Sequence, residues 1–156
     1  ISAGGIFSGS DVDLILGNTI VAGNTAPVYP DISSVAPTSS LASQTGNVIG
    51  NNEGVSLAEG TPSIGYDWVG TSASPVNALL GPLQNNGGPT DTHMLLNVSP
   101  AINFGLAATA TGLTYDQRGN PNLRTRGLAP DSGAVELFAF ETETTVGAES
   151  TTNGES

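Results

Sequence analysis

Apolar runs in this chain last three or four residues and then stop at Gly-Asn. The stretch "GNTIVAGNTA", Gly17 to Ala26, does this twice, and "GNVIGNN", Gly46 to Asn52, repeats the rhythm. A helix needs an apolar stripe of period 3.6 sustained over roughly ten or more residues, which runs this short cannot supply. Gly5-Ile6-Phe7, Val12 to Leu16, Thr19 to Ala22 and Asp31 to Val35 instead have the β-branched and aliphatic content of short strands, each closed by Gly, Asn or Ser. Short strands with sharp turns at near-regular spacing predict a solenoid, in which each coil places a few side chains inward and then turns.

Asparagine suits such turns because it tolerates left-handed backbone and hydrogen-bonds the local chain. Asn18, Asn24, Asn47 and Asn51 are candidates for a stacked ladder, each amide donating to the one a coil away; ordinary turn residues are the other reading. Between Ser33 and Ser43, and from Leu57 to Ser74, Ser, Thr, Pro, Ala and Gly dominate, so both stretches are expected to be loops. Tyr66 and Trp68 sit in the second, as a sugar-stacking pair or as a lid on the core. Further on, Leu79-Leu80, His93 to Leu96 and Pro100 to Ile102 read as short strands, and "QNNGGPT" as a turn.

The chain has 156 residues, enough for one domain that buries about 68–70% of its unfolded surface. With 14 acidic residues against 3 basic ones, its net charge is −11, and the basic residues are Arg118, Arg124 and Arg126. A chain without lysine has little with which to neutralise phosphates, so nucleic acid and anionic membrane surfaces are not expected partners. Cysteine is absent, which removes disulfides, thiolate metal sites and cysteine nucleophiles. No apolar run approaches the roughly 18 residues of a membrane span. The chain opens on Ile1 rather than Met, as expected of a processed or partial product whose secretion signal would lie upstream.

The ordered set "GGIF", "NTIVAGNTA", "GNVIGNNEG", "LLGPLQNNGGPT", "THMLL", "SPAINFG", "DQRGNP" and "DSGAVE", from Gly4 to Glu136, resembles the C-terminal part of secreted right-handed parallel β-helix proteins of bacterial surfaces. These are grouped as choice-of-anchor β-helix proteins and are related in style to polymorphic outer-membrane proteins. The resemblance implies an all-β, right-handed parallel β-helix over 1–136, export, and a surface or matrix role. It implies no catalytic residue and no cofactor. Residues 137–156 follow as a strand and a Thr/Glu-rich tail, without the anchoring segment usual in the family.

The chemistry-bearing residues are sparse. His93 is the single histidine and lies in no nucleophile motif, so it is expected to be structural. Asp11 and Asp13 would share one face of a strand, as solvated residues or as a carboxylate pair. "GGIFSGSD" lacks the spacing of a calcium-binding nonapeptide repeat. Asp116, Asn120 and Asp131 are conceivable ligands of a hard cation, but Arg118 accounts better for the acidic residues around it: a buried bidentate pair with Asp131 or Glu136 would pin the terminal segment. Beyond it, Phe138, Phe140, Thr142, Thr144 and Val146 share one face of an extended strand, which would dock on a neighbouring copy or pack on its own subunit. Three functions follow in order of expectation: a non-catalytic extracellular structural protein that self-associates end to end, an adhesin or glycan-binding module using Tyr66 and Trp68, and a fragment of a polysaccharide-active enzyme.

Overall fold

The computed structural model describes residues 3–10, 12–34, 41–57 and 67–137. Nine short strands follow in order: β1 Ile6–Ser8, β2 Leu14–Leu16, β3 Ile20–Val21, β4 Ile32–Ser34, β5 Leu41–Ser43, β6 Val48–Ile49, β7 Trp68–Val69, β8 Leu80–Gln84 and β9 Thr92–Leu95, then a 3-10 turn at Ala107–Ala110. β1 pairs with β4, β2 with β5, and β3 with β6 and through it β7, all parallel. The registers set like on like: Ile6 beside Ile32, Leu14 beside Leu41, Ile20 beside Val48.

The chain is therefore all-β, but the continuous right-handed parallel β-helix expected over 1–136 is not what it forms. Small separate sheets stand in its place, three of them parallel and the fourth, β8 with β9, antiparallel. The reason is connection length. "QNNGGPT" joins β8 to β9 through a stretch too short for the crossover that a parallel pair needs, so the chain folds back as a hairpin. Pro100 to Ile102, expected as a strand, is a turn, while β4, β5 and β7 reach into the two stretches expected as loops. The run Phe138 to Val146 lies outside the described residues, so its docking face is not defined.

Two apolar clusters result. Leu16, Val21, Ile32, Ile49 and Val69 pack between the parallel pairs. Val48, Ala78, Leu95 and Ala101 form the second, where Ile20, Val48 and Trp68, the alternate residues of the third sheet, meet the hairpin and the segment carrying Ile102 and Phe104. One close approach makes glycine obligatory: a Cβ at Gly70 would run into the Gly50 carbonyl oxygen and the Val76 amide nitrogen, because Val76 N–H donates to that same oxygen at 2.8 Å.

Candidate functional site

The asparagines bond to other partners than one another. Asn47, fully buried, accepts from Thr19 N–H at 2.9 Å; its own N–H and its Nδ2 each donate to Asp67 Oδ1 at 3.0 Å. Thr19, Asn47 and Asp67 precede the paired positions Ile20, Val48 and Trp68, so three chemically different residues hold one corner of the third sheet. Asn18 adopts left-handed backbone (φ 49°) and exchanges two hydrogen bonds with the main chain of Leu106. Asn24 donates twice to Asp31, and Asn51 accepts from Glu53 N–H. An amide that must satisfy its own corner is not available to the next one, which is why the expected Asn-on-Asn stacking gives way to capping.

Burial concentrates charge in the last part of the described chain. Residues 113–124 double back on themselves: Tyr115 bridges Leu123, Asp116 N–H donates to Asn122 O at 2.9 Å, and Arg124 N–H to Thr114 O at 3.0 Å. Within this loop Asp116 and Arg118 form a bidentate ion pair, with Nη2 to Oδ2 at 2.6 Å and Nε to Oδ1 at 3.2 Å. The carboxylate expected for Arg118, that of Asp131 or Glu136, is thus replaced by the one two residues upstream, which the turn sets beside it. Arg118 reaches Glu136 through that residue's main-chain carbonyl, at 2.8 Å. Arg124, not singled out in the sequence, takes the Glu136 carboxylate and donates to Asp131 O at 2.9 Å.

The segment 131–137 closes over these pairs. Asp131 Oδ1 accepts from Asn103 N–H at 2.7 Å and Oδ2 from Leu137 N–H at 2.6 Å; Glu136 N–H donates to Asp116 Oδ2 at 2.9 Å, and Glu136 Oε1 accepts from Asp131 N–H at 2.9 Å. All five side chains are buried, Glu136 completely. Burial pushes the Asp131 carboxyl up, against the Asn103 and Leu137 amides and Arg124. Burial first and the Asp131 charge second push Glu136 up to about 7, against the Asp131 amide, Arg124 and the Arg126 amide. A carboxyl titrating near neutrality can serve as a general acid or base, but only where it meets a substrate. Glu136 is not among the residues that line the cleft beside β3, and its contacts fasten the terminal segment.

A cleft of about 1080 Å³ lies elsewhere, between the edge of residues 19–24, the stretch 75–78 and the hairpin. Ile20, Ala22, Leu80 and Leu83 supply apolar surface, and Asp91, His93 and Gln117 polar groups. The His93 Nδ1–H donates to the Gly81 carbonyl at 2.6 Å. Trp68 is not part of this cleft. It is half-buried in the second core cluster, with its ring edge-on to Phe104 at 6.3 Å and 73°, in the place of a lid. Tyr66 and Asp11 lie outside the described residues, so the aromatic pair and the carboxylate pair are not assembled. Asp116 and Asp131 are each committed to protein donors, and among the described residues no group of three potential metal ligands comes together.

Comparison of the chain with family models, with curated proteins and with solved structures finds no match. Among the described residues no helix is long and apolar enough to cross a membrane.

Proposed function

We propose that this chain is a non-catalytic structural module of an extracellular surface or matrix protein, associating with further copies through its strand edges. The observation that carries the reading is the open side of β1 and β2. Among the described residues each has a strand partner on one side only, β4 and β5 respectively. Ile6 N–H donates to Asp31 O at 2.8 Å and Leu16 O accepts from Gln44 N–H at 2.6 Å, so by the alternation of a parallel ladder the main-chain groups of Phe7 and Ile15 face away from those partners. Their side chains, 45% and 58% exposed, place apolar surface beside that edge. An unpaired edge with apolar flanks is a template for another strand.

The complementary segment is assigned to the C-terminal run, in whose sequence Phe138, Phe140, Thr142, Thr144 and Val146 alternate with Ala139, Glu141, Glu143 and Thr145. Contact between two different surfaces does not close on itself, so it grows chains of copies. The buried carboxylates support the non-catalytic part of the reading, since their hydrogen bonds go to the protein itself. Trp68, packed against Phe104, argues against the glycan-stacking alternative.

Light scattering on the purified chain over a range of concentration and salt tests this. Association is expected, stronger at high salt because copies of net charge −11 repel one another. Phe7→Lys with Ile15→Lys is expected to leave a folded monomer. A wild-type chain that stays monomeric throughout, or a double variant that assembles equally well, would refute the proposal.

A further inference from the structure

The cleft beside β3 differs from the β1 and β2 edge in both its geometry and its chemistry. Val48 N–H donates to Thr19 O at 2.8 Å and Gly50 N–H to Val21 O at 2.9 Å, so the main-chain groups of the intervening Ile20 face away from β6, on the side the cleft occupies. β3 with Thr19 offers an extended edge of roughly 10 Å at about 3.3 Å per residue, and Ala22 to Asn24 line the cleft beyond it through a bend at Gly23. Ile20, Ala22, Leu80 and Leu83 form apolar walls, Leu83 with 61% of its surface exposed.

The rim is built of acceptors. Asp91 is exposed. His93 spends its Nδ1 proton on Gly81 O, so that in the neutral ring Nε2 is the acceptor. Gln117 directs its Nε2 to Thr90 Oγ1 at 2.8 Å, leaving Oε1 for a ligand. The charged residues of the lining are Asp31 and Asp91, and none of the chain's three arginines is among them. An extended backbone edge, apolar walls and a rim of acceptors around a carboxylate together select one kind of occupant.

We propose that the cleft binds an extended cationic segment of another protein, its backbone laid along Thr19 to Val21 and a Lys or Arg side chain held by Asp91, His93 and Gln117. Strand addition supplies the backbone contacts and the charged rim the specificity. A second copy of this chain does not fit the site. It has no lysine, its Arg118 and Arg124 are buried in ion pairs, and Arg126 donates to Pro121 O at 2.9 Å.

Fluorescence anisotropy with an eight-residue peptide of alternating Val and Lys tests the proposal, with Val/Thr and Val/Glu peptides of equal length alongside. The Val/Lys peptide is expected to bind saturably and at least tenfold more tightly than either counterpart. Asp91→Asn with His93→Phe, both exposed positions, is expected to weaken it at least tenfold. Glu53→Gln, which removes one exposed charge away from the cleft, is expected to change nothing. Absence of saturable binding, equal binding of the three peptides, or equal loss in the Glu53 variant would overturn the proposal. Because Phe7 and Ile15 do not line the cleft, loss of self-association leaves this result unaffected, and the converse holds.

Discussion

Replacing Glu136 by Gln isolates one charge in a fully buried network. In the folded chain the Glu136 carboxyl titrates at about 7, against an ordinary value of 4.5. Its folded pKa is raised, so the folded state holds a proton that the unfolded state has released, and stability falls as pH rises between these values. At 1.36 kcal/mol per pH unit the whole loss is about 3 kcal/mol, of which about 2–3 kcal/mol falls between pH 5 and pH 8. The competing effect is the attraction of Arg124, which favours the ionised form. Desolvation wins because the side chain is wholly buried and Asp131 adds a second negative charge beside it, which the Asp131 and Arg126 amides offset only in part. Gln is nearly isosteric with protonated Glu, so the variant is expected to be within about 1 kcal/mol of wild type at pH 5, where both folded side chains lack the charge. At pH 8 the variant is expected to be about 3 kcal/mol more stable than wild type. Asp131, also raised, contributes a decline in the same direction that the variant retains. Urea unfolding midpoints at constant m-value, from pH 5 to pH 8, measure the difference. Parallel pH curves, or a variant less stable at pH 8 than at pH 5 relative to wild type, would refute the reasoning and show that the ion pair outweighs burial.

Two further substitutions address the parallel sheets. Asn47→Ala leaves Thr19 N–H without its acceptor and takes the Nδ2 donor from Asp67 Oδ1, which keeps the main-chain N–H of residue 47, and is expected to cost about 1–3 kcal/mol in urea unfolding, as a buried unsatisfied donor does. Gly70→Ala forces a methyl group against Gly50 O and is expected to cost on the order of 1–3 kcal/mol, read as a lowered thermal midpoint, whereas Gly9→Ala, with open space around it, should change stability little.

The short strands were legible because their cause is local. β-Branched and aliphatic runs closed by Gly or Asn place Leu14–Leu16, Ile20–Val21, Ile32–Ser34 and Val48–Ile49 within the stretches read as strand-like, with Ile6–Ser8 running one residue past Gly5-Ile6-Phe7, and "QNNGGPT" as a turn. The importance of Arg118 and Glu136 was legible too, because a chain with three basic residues has few ways to bury a carboxylate. Their partners were not. Asp116 beside Arg118, and Arg124 beside Glu136, depend on how residues 113–124 turn back, and several acidic residues of similar spacing compete for each arginine. The same holds for Asn47, whose partner Asp67 is twenty residues away and gives no sign in the sequence of being its neighbour.

What the amino-acid order determined by itself was an all-β chain of brief strands, strongly acidic and without cysteine, since periodicity, turn chemistry and charge are properties of neighbouring residues. What only the tertiary structure decided was that these strands form separate small sheets rather than one continuous coil. It also decided which carboxylate meets which arginine, and that Asp91, His93 and Gln117 share a cleft. Those outcomes depend on distances between segments far apart in the chain, and a residue's type sets what it can bond but not what folding brings within its reach.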